Sequence, residues 1–167
     1  LKLCTRRPKR RIYVLGDPLL VRQSLINLIQ NALRYTLQGG VLVAIRPRGE
    51  ECMVEVWDTG VGIADDEKGK IFSPYYRSEL AWKIDSAGHG LGLAVVARCA
   101  KLMKVKYGMQ SIEGKGSRFW MRFTQYTGED IAPDISPTCD NTATPVRYAP
   151  LHGSCLVVDD DPLVTSA

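Results

Sequence analysis

Histidine is scarce in this chain, and the five cysteines (Cys4, Cys52, Cys99, Cys139, Cys155) are odd in number and never spaced C-x-x-C. With two histidines besides, neither a zinc site nor a disulfide framework is indicated, and a reducing compartment suits such usage. No apolar run approaches the ~18 residues needed to span a bilayer, and the first residues lack the apolar core of a signal peptide. The expected location is the cytoplasm, with any inner-membrane anchor of the full-length protein lying outside this stretch. Two nucleotide motifs are missing as well. GMQSIEGKG has one residue too many for a P-loop and puts Gly116 where the hydroxyl should be, while Gly88, Gly90 and Gly92 read G-x-G-x-G rather than G-x-G-x-x-G.

What is present divides by charge. The net +4 of the 167 residues conceals a basic start, a mildly basic middle and an acidic end. Residues 1–11 hold Lys2, Arg6, Arg7, Lys9, Arg10 and Arg11 with no acid and no interleaved aromatic, which argues against a nucleic-acid arm and for a solvated basic tether. Residues 12–124 carry the periodic segments of one domain. A short strand at Ile12–Val14 leads to Gly16-Asp17-Pro18, a helix start with Asp as cap, and the helix runs to about 37. VLVAIRP and CMVEVWD then read as one hairpin, KYGMQSIE and SRFWMRFTQY as another, and GHGLGL opens a second long helix at about 90. A short helix is expected near 65–71, followed by an irregular, lid-like stretch over 73–88. Residues 125–152 are proline-punctuated and polar, a linker. From 153 to 167, CLVVDDDPLV returns to a buried-strand pattern ending in carboxylates.

The first long helix carries an oddity. In LINLIQNALRYT the stripe of Leu25, Leu28, Ile29, Ala32 and Leu33 should face a core, yet Asn27 and Asn31 lie one turn apart beside it, with Arg34 on the same face. Asparagine is a poor helix former, at about half a kcal/mol each relative to alanine. Two amide oxygens and a guanidinium suit a metal and a phosphate; a solvated polar edge is the plain alternative. Other features converge with them. Asp58, after the strand ending in Trp57, can accept a hydrogen bond from an exocyclic amine such as that of adenine, and Gly60 and Gly62 in DTGVGI let backbone pass close to a flat ring. The glycines of GHGLGL expose N–H groups at a helix start, a seat for phosphates. Asn31 would offer Mg²⁺ the hard oxygen it prefers.

The ordered set NLIQNALRYT, DTGVGI, IFSPYYR, GHGLGL and GKGSRF resembles the nucleotide-binding domain of sensor histidine kinases, within the superfamily of DNA gyrase, MutL and Hsp90-type ATPases. The resemblance covers about residues 10–125. It implies a two-layer α/β sandwich of the Bergerat type, a mixed sheet of about five strands with three helices on one face. It implies ATP and Mg²⁺ as cofactors, Asn31 as the Mg²⁺ ligand, Asn27 as its phosphate-side partner, Arg34 where lysine is usual, and Tyr35 flanking the nucleotide. Asp58 matches the adenine-reading aspartate, with Ser117 sharing its water network. Tyr76 and Arg77 match a lid-side pair reaching the terminal phosphate, and Gly88, Gly90 and Gly92, with Leu91 among them, match the lid hinge. His89 departs from the commoner threonine; it serves loop geometry or, through its imidazole, proton transfer. Gyrase-like members place a water-activating glutamate where Asn27 stands here, so transfer is favoured over hydrolysis.

The stretch from 153 on resembles the first strand of a response-regulator receiver domain, with Asp159 and Asp160 in a Mg²⁺-binding acidic pair. The expectation is the ATP-binding part of a hybrid sensor histidine kinase, bacterial in style, acting in a two-component phosphorelay. Its γ-phosphoryl group would pass to a histidine on a dimerisation domain of the same kinase. Neither His89 nor His152 sits in an H-[DE]-x-x-x-P setting, so this stretch should bind ATP without phosphorylating itself. It should be a monomer alone and a homodimer at full length, with the receiver domain as a further partner and no nucleic acid. The rivals are a nucleotide-sensing or docking module without transfer, and a gyrase-type ATPase.

Overall fold

Asp17 starts the longest helix by accepting hydrogen bonds on Oδ1 from the N–H groups of Leu19 (2.8 Å) and Leu20 (3.2 Å). Such a cap contributes about 1 kcal/mol, and Pro18 behind it surrenders only an N–H that would have had no helical partner. The computed structural model describes residues 1–86 and 88–126 together with the backbone of Cys155–Val157. In chain order the elements are β1 (Lys2–Arg6), β2 (Tyr13–Leu15), α1 (Pro18–Tyr35), β3 (Gly40–Arg48), β4 (Glu51–Asp58), α2 (Glu79–Ile84), α3 (Gly92–Leu102), β5 (Lys106–Ile112), β6 (Gly116–Thr124) and β7 (Cys155–Val157).

Five strands form one mixed sheet in the order β1-β3-β4-β6-β5, with β1 parallel to β3 and every other pair antiparallel. Strand β2 lies apart, paired antiparallel with β7. Alternation along the strands turns Val54 and Val56 of β4 and Phe119, Met121 and Phe123 of β6 to one face, where they meet Val21, Leu28 and Ala32 of α1 and Val96 and Ala100 of α3. Fully burying each of the larger side chains is worth roughly 1.5–3 kcal/mol, which holds the helical layer on the sheet. Leu33, expected in the stripe, is exposed.

The other face of the sheet is built differently. Glu55 is 1% exposed, between Arg46 and Arg118 on neighbouring strands. Its Oε1 accepts from Arg118 at 2.5 Å, and its Oε2 accepts from the Trp57 indole at 2.9 Å with Arg46 Nε 3.1 Å away. The Arg118 guanidinium lies over the Trp57 ring, 4.9 Å from its centroid. A charge buried this deeply is tolerated because its partners neutralise it and satisfy its lone pairs. Burial pushes the Glu55 carboxyl up, but hydrogen bonds from Arg118 and Trp57 and the charges of Arg118 and Arg46 outweigh that and hold it below the ordinary value.

Three expectations give way here. Residues 2–6 of the supposed tether form edge strand β1, entering the ladder through Lys2 N–H, which donates to Gly39 O at 2.9 Å. An edge strand tolerates a basic sequence because its side chains stand in water while its backbone pairs. The short helix expected at 65–71 is a run of turns, with Glu67 N–H donating to Ala64 O and Lys70 N–H to Glu67 O. The third helix is α2, inside the stretch expected to be irregular, capped by Ser78 Oγ accepting from Ala81 N–H at 3.1 Å. Most of the linker, His152, and Asp159 and Asp160 of the receiver-like stretch lie outside the described residues. Among the described residues no helix is long and apolar enough to cross a membrane.

Replacing Glu55 by alanine should lower the unfolding free energy by about 3 kcal/mol, the low end for breaking a buried ion pair because both arginines keep some access to water. Because its folded pKa lies below the ordinary 4.5, Glu55 stabilises fully above that value, and the contribution is lost as pH falls through the depressed one. Urea titrations should therefore separate wild type from variant at neutral pH and show the gap closing as pH drops below 4.5.

Candidate functional site

The C-terminal end of β4 meets the C-terminal end of α1 and the β5–β6 turn, and glycines allow the approach. A Cβ on Gly60 would lie 2.2 Å from Tyr35 O, and one on Gly116 2.0 Å from Asp58 O, both impossible contacts. Val61 N–H donates to Tyr35 O at 3.2 Å, and Gly114 N–H to Val61 O at 2.8 Å, lacing the three segments together. This backbone fixes Asp58. Its Oδ1 accepts from Gly60 N–H at 2.9 Å and Ser117 N–H at 3.2 Å, which leaves Oδ2 with no partner among the described residues. Ser117 is steadied in turn by Ser111, whose hydroxyl lies 3.0 Å from Ser117 Oγ. Burial raises the pKa of Asp58, and the two backbone hydrogen bonds oppose the shift.

Asp58 lines a cavity of about 670 Å³. Ile63, Ile71, Leu93 and Phe119 give it apolar lining, and polar side chains of α1 and of the segment between β4 and α3 give it the rest. Asn27, Asn31, Arg34 and Tyr35 all face it from α1. The two amides converge on the start of α3: a Cβ on Gly92 would sit 3.3 Å from Asn27 Oδ1 and 3.6 Å from both amide atoms of Asn31. Asn27 Nδ2 donates to Gln23 O at 2.9 Å, which fixes which way its oxygen points. No side chain caps α3, so its first-turn N–H groups remain available to an anion.

Gly62, Tyr76, Arg77, Gly88, His89, Gly90, Leu91, Gly92 and Ser117 line the same cavity, so every residue singled out in the sequence for nucleotide contact is brought there except Gly60. Gly60 and Gly62 each let backbone pass backbone, since a Cβ would lie 2.2 Å from Tyr35 O at Gly60 and 2.2 Å from Ile112 O at Gly62. Tyr76 donates its hydroxyl to Glu67 at 3.2 Å. Arg77 donates to Gly88 O at 2.6 Å and Ala81 O at 3.0 Å, with its guanidinium 3.9 Å from the centroid of the Trp82 ring. His89 stands exposed at the rim. Sequence reasoning missed Glu67, the apolar walls and Asp85, which pairs with Arg34. For two of the apolar residues the sequence holds a local signal: Phe119, Met121 and Phe123 alternate in SRFWMRFTQY, and Leu93, Val96, Ala97 and Ala100 recur at helical spacing. Among the described residues no group of three or more histidine, cysteine or acidic side chains could hold a metal ion.

A sandwich with a half-apolar, half-polar pocket between strand ends and an uncapped helix start is an α/β domain with a candidate small-molecule site. The family described as Histidine kinase-, DNA gyrase B-, and HSP90-like ATPase matches residues 16–127, and the chain belongs to it. It is 43% identical over 135 residues to the aerobic respiration control sensor protein ArcB of Escherichia coli K12, covering 80% of this chain and 17% of ArcB. It is 31% identical over 123 residues to the sensor histidine kinase RcsC of the same strain, covering 74% of this chain and 13% of RcsC. The chain thus spans a small part of the length of these curated relatives. Among solved structures it resembles the nucleotide-free catalytic domain of histidine kinase ThkA, with a TM-score of 0.62 and 26% identity over 74% of this chain and 79% of that one. It also resembles full-length ShkA, solved in complex with AMPPNP, with a TM-score of 0.61 and 29% identity over 75% of this chain and 26% of that one.

Gly60→Ala should cost about 2–3 kcal/mol, because backbone rather than a flexible side chain must move. Gly69→Ala, where a Cβ meets nothing within 4 Å, should stay within about 0.5 kcal/mol of wild type. Thermal melts of the two variants check the difference.

Proposed function

We propose that this chain binds ATP with Mg²⁺ and donates the γ-phosphoryl group to a histidine on a partner dimerisation domain, as the ATP-binding part of a hybrid sensor histidine kinase in a two-component phosphorelay. The observation that carries the reading is the pinned Asp58 carboxylate, lining a half-apolar cavity with one oxygen held by two backbone N–H groups and the other without a partner among the described residues. That oxygen accepts from the adenine exocyclic amine, and Ile63, Ile71 and Phe119 cover the ring faces. Tyr35 flanks the nucleotide, and the phosphates run toward the uncapped start of α3, with Arg34 and Arg77 as nearby cations.

The donor set fits a hard cation shared with phosphates. Asn27 and Asn31 carry neutral amide oxygens to the place where Gly92 lacks a side chain, and a Cβ there would press on Asn27 Oδ1 at 3.3 Å. Asn31 would hold Mg²⁺, with Asn27 on its phosphate side. When bound, the ion supplies charge neutralisation at the phosphate oxygens. The chain itself supplies position and a fixed field, the main sources of acceleration in phosphoryl transfer. An amide at Asn27, whose Nδ2 is already committed to Gln23 O, cannot take a proton from water, which supports transfer over hydrolysis.

Joined to a histidine-bearing dimerisation domain and given γ-labelled ATP, the protein should move label to that histidine with little phosphate release. Tight ATP binding without transfer would favour a nucleotide sensor instead, and steady phosphate release a gyrase-type ATPase. Asp58→Asn should weaken ATP binding by roughly 10–100-fold, because the two backbone donors claim the amide oxygen and leave an NH₂ facing the adenine amine. Its melting temperature should hold or rise, since burial disfavours the wild-type charge. Asn31→Asp should slow transfer by adding charge beside the phosphates. Calorimetry and the transfer assay check both.

A further inference from the structure

Arg34, the α1 cation on the phosphate side of the cavity, already has an anionic partner within the chain. Its NH1 lies 2.9 Å from Oδ2 of Asp85, the residue that ends α2. The pair spans two segments distant in sequence, and its geometry is defended from several sides. Asp85 N–H donates to Ala81 O at 3.1 Å, which fixes the carboxylate at the helix end. Arg77 ties the same segment together, donating to the carbonyls of Ala81, Asp85 and Gly88 while lying on Trp82. A Cβ on Gly88 would lie 2.8 Å from Asp85 Oδ2 and 3.2 Å from Arg34 NH1, so glycine leaves room for the pair.

We propose that Asp85 is an internal competitor of the nucleotide phosphate, a carboxylate that occupies Arg34 until a phosphate displaces it. The inference rests on the nucleotide reading above and adds its regulation. A carboxylate and a phosphate present the same fork of oxygens to a guanidinium, and one guanidinium at the cavity edge serves one of them fully at a time. The Arg34 and Asp85 side chains are 43% and 21% exposed, so the pair is partly wet and holds weakly enough to exchange. A triphosphate, with higher charge, wins the exchange; adenosine, with no phosphate, leaves the pair closed.

Calorimetric titration of the wild type, Asp85→Asn, Arg34→Ala and the double variant with Mg-ATP and with adenosine tests this. Asp85→Asn should bind ATP about two- to fivefold tighter, the range a partly exposed ion pair gives, with adenosine affinity unchanged. The gain should vanish when Arg34 is already alanine. An Asp85→Asn protein that folds with the wild-type melting profile but binds ATP equally or more weakly overturns the proposal, while wild-type ATP binding leaves the nucleotide reading standing. A gain that appears equally with adenosine, or survives in the Arg34→Ala background, also overturns it. Failure of the wild type to bind ATP at all overturns the nucleotide reading, and the competition with it.

Discussion

Everything at the candidate site hangs on the crossing of three backbones around one carboxylate. The end of β4, the C-terminus of α1 and the β5–β6 turn approach so closely that Gly60, Gly62 and Gly116 each sit where any Cβ would strike a carbonyl. The approach brings Gly60 N–H and Ser117 N–H onto the same oxygen of Asp58. Two neutral donors cannot cancel the cost of burying the charge, and the carboxyl pKa stays raised. The chain thus holds an acceptor at some cost to stability, as is common where a group is kept for recognition rather than for the fold.

The two faces of the sheet divide the labour. Facing the helices, alternating residues such as Val56 and Phe119 make a dry core that supports the cavity floor. On the far face, Glu55, Arg46, Arg118 and Trp57 join β3, β4 and β6 through charge and stacking. Tight pairing of β4 with β6 places Asp58 opposite Ser117 in the register, so packing on one side of the sheet and ion pairing on the other both set the position of the Asp58 carboxylate.

Local chemistry was legible in the sequence, and long-range pairing was not. The Asp17 cap, the two hairpins and, Leu33 aside, the apolar face of α1 are each specified within a few residues and appear where those residues predict them. Strand β1 was hidden because its partner β3 lies far along the chain and its composition is that of a solvated arm. At 65–71 helical composition around Gly69 gave only turns, whereas Ser78 supplied a cap that made α2 regular. Asn27, Asn31, Arg34 and Asp58 could be named from residue type and spacing, and Tyr35, Tyr76, Arg77 and Ser117 from the family resemblance, but Asp85 and Glu67 from neither, since nothing near them in sequence points to Arg34 or Tyr76. At Gly60 the sequence could show a need for glycine but not the Tyr35 carbonyl that imposes it.

The central claim is that the Asp58 oxygen left free by the two backbone donors reads an exocyclic amine. It is tested most directly by comparing the affinity of the unmodified protein for ATP and for inosine triphosphate, which keeps the sugar and phosphates but replaces that amine with a carbonyl oxygen. The account predicts that inosine triphosphate binds roughly 10–100-fold more weakly, the loss of one hydrogen bond to a charged acceptor. Equal affinity for the two would contradict it.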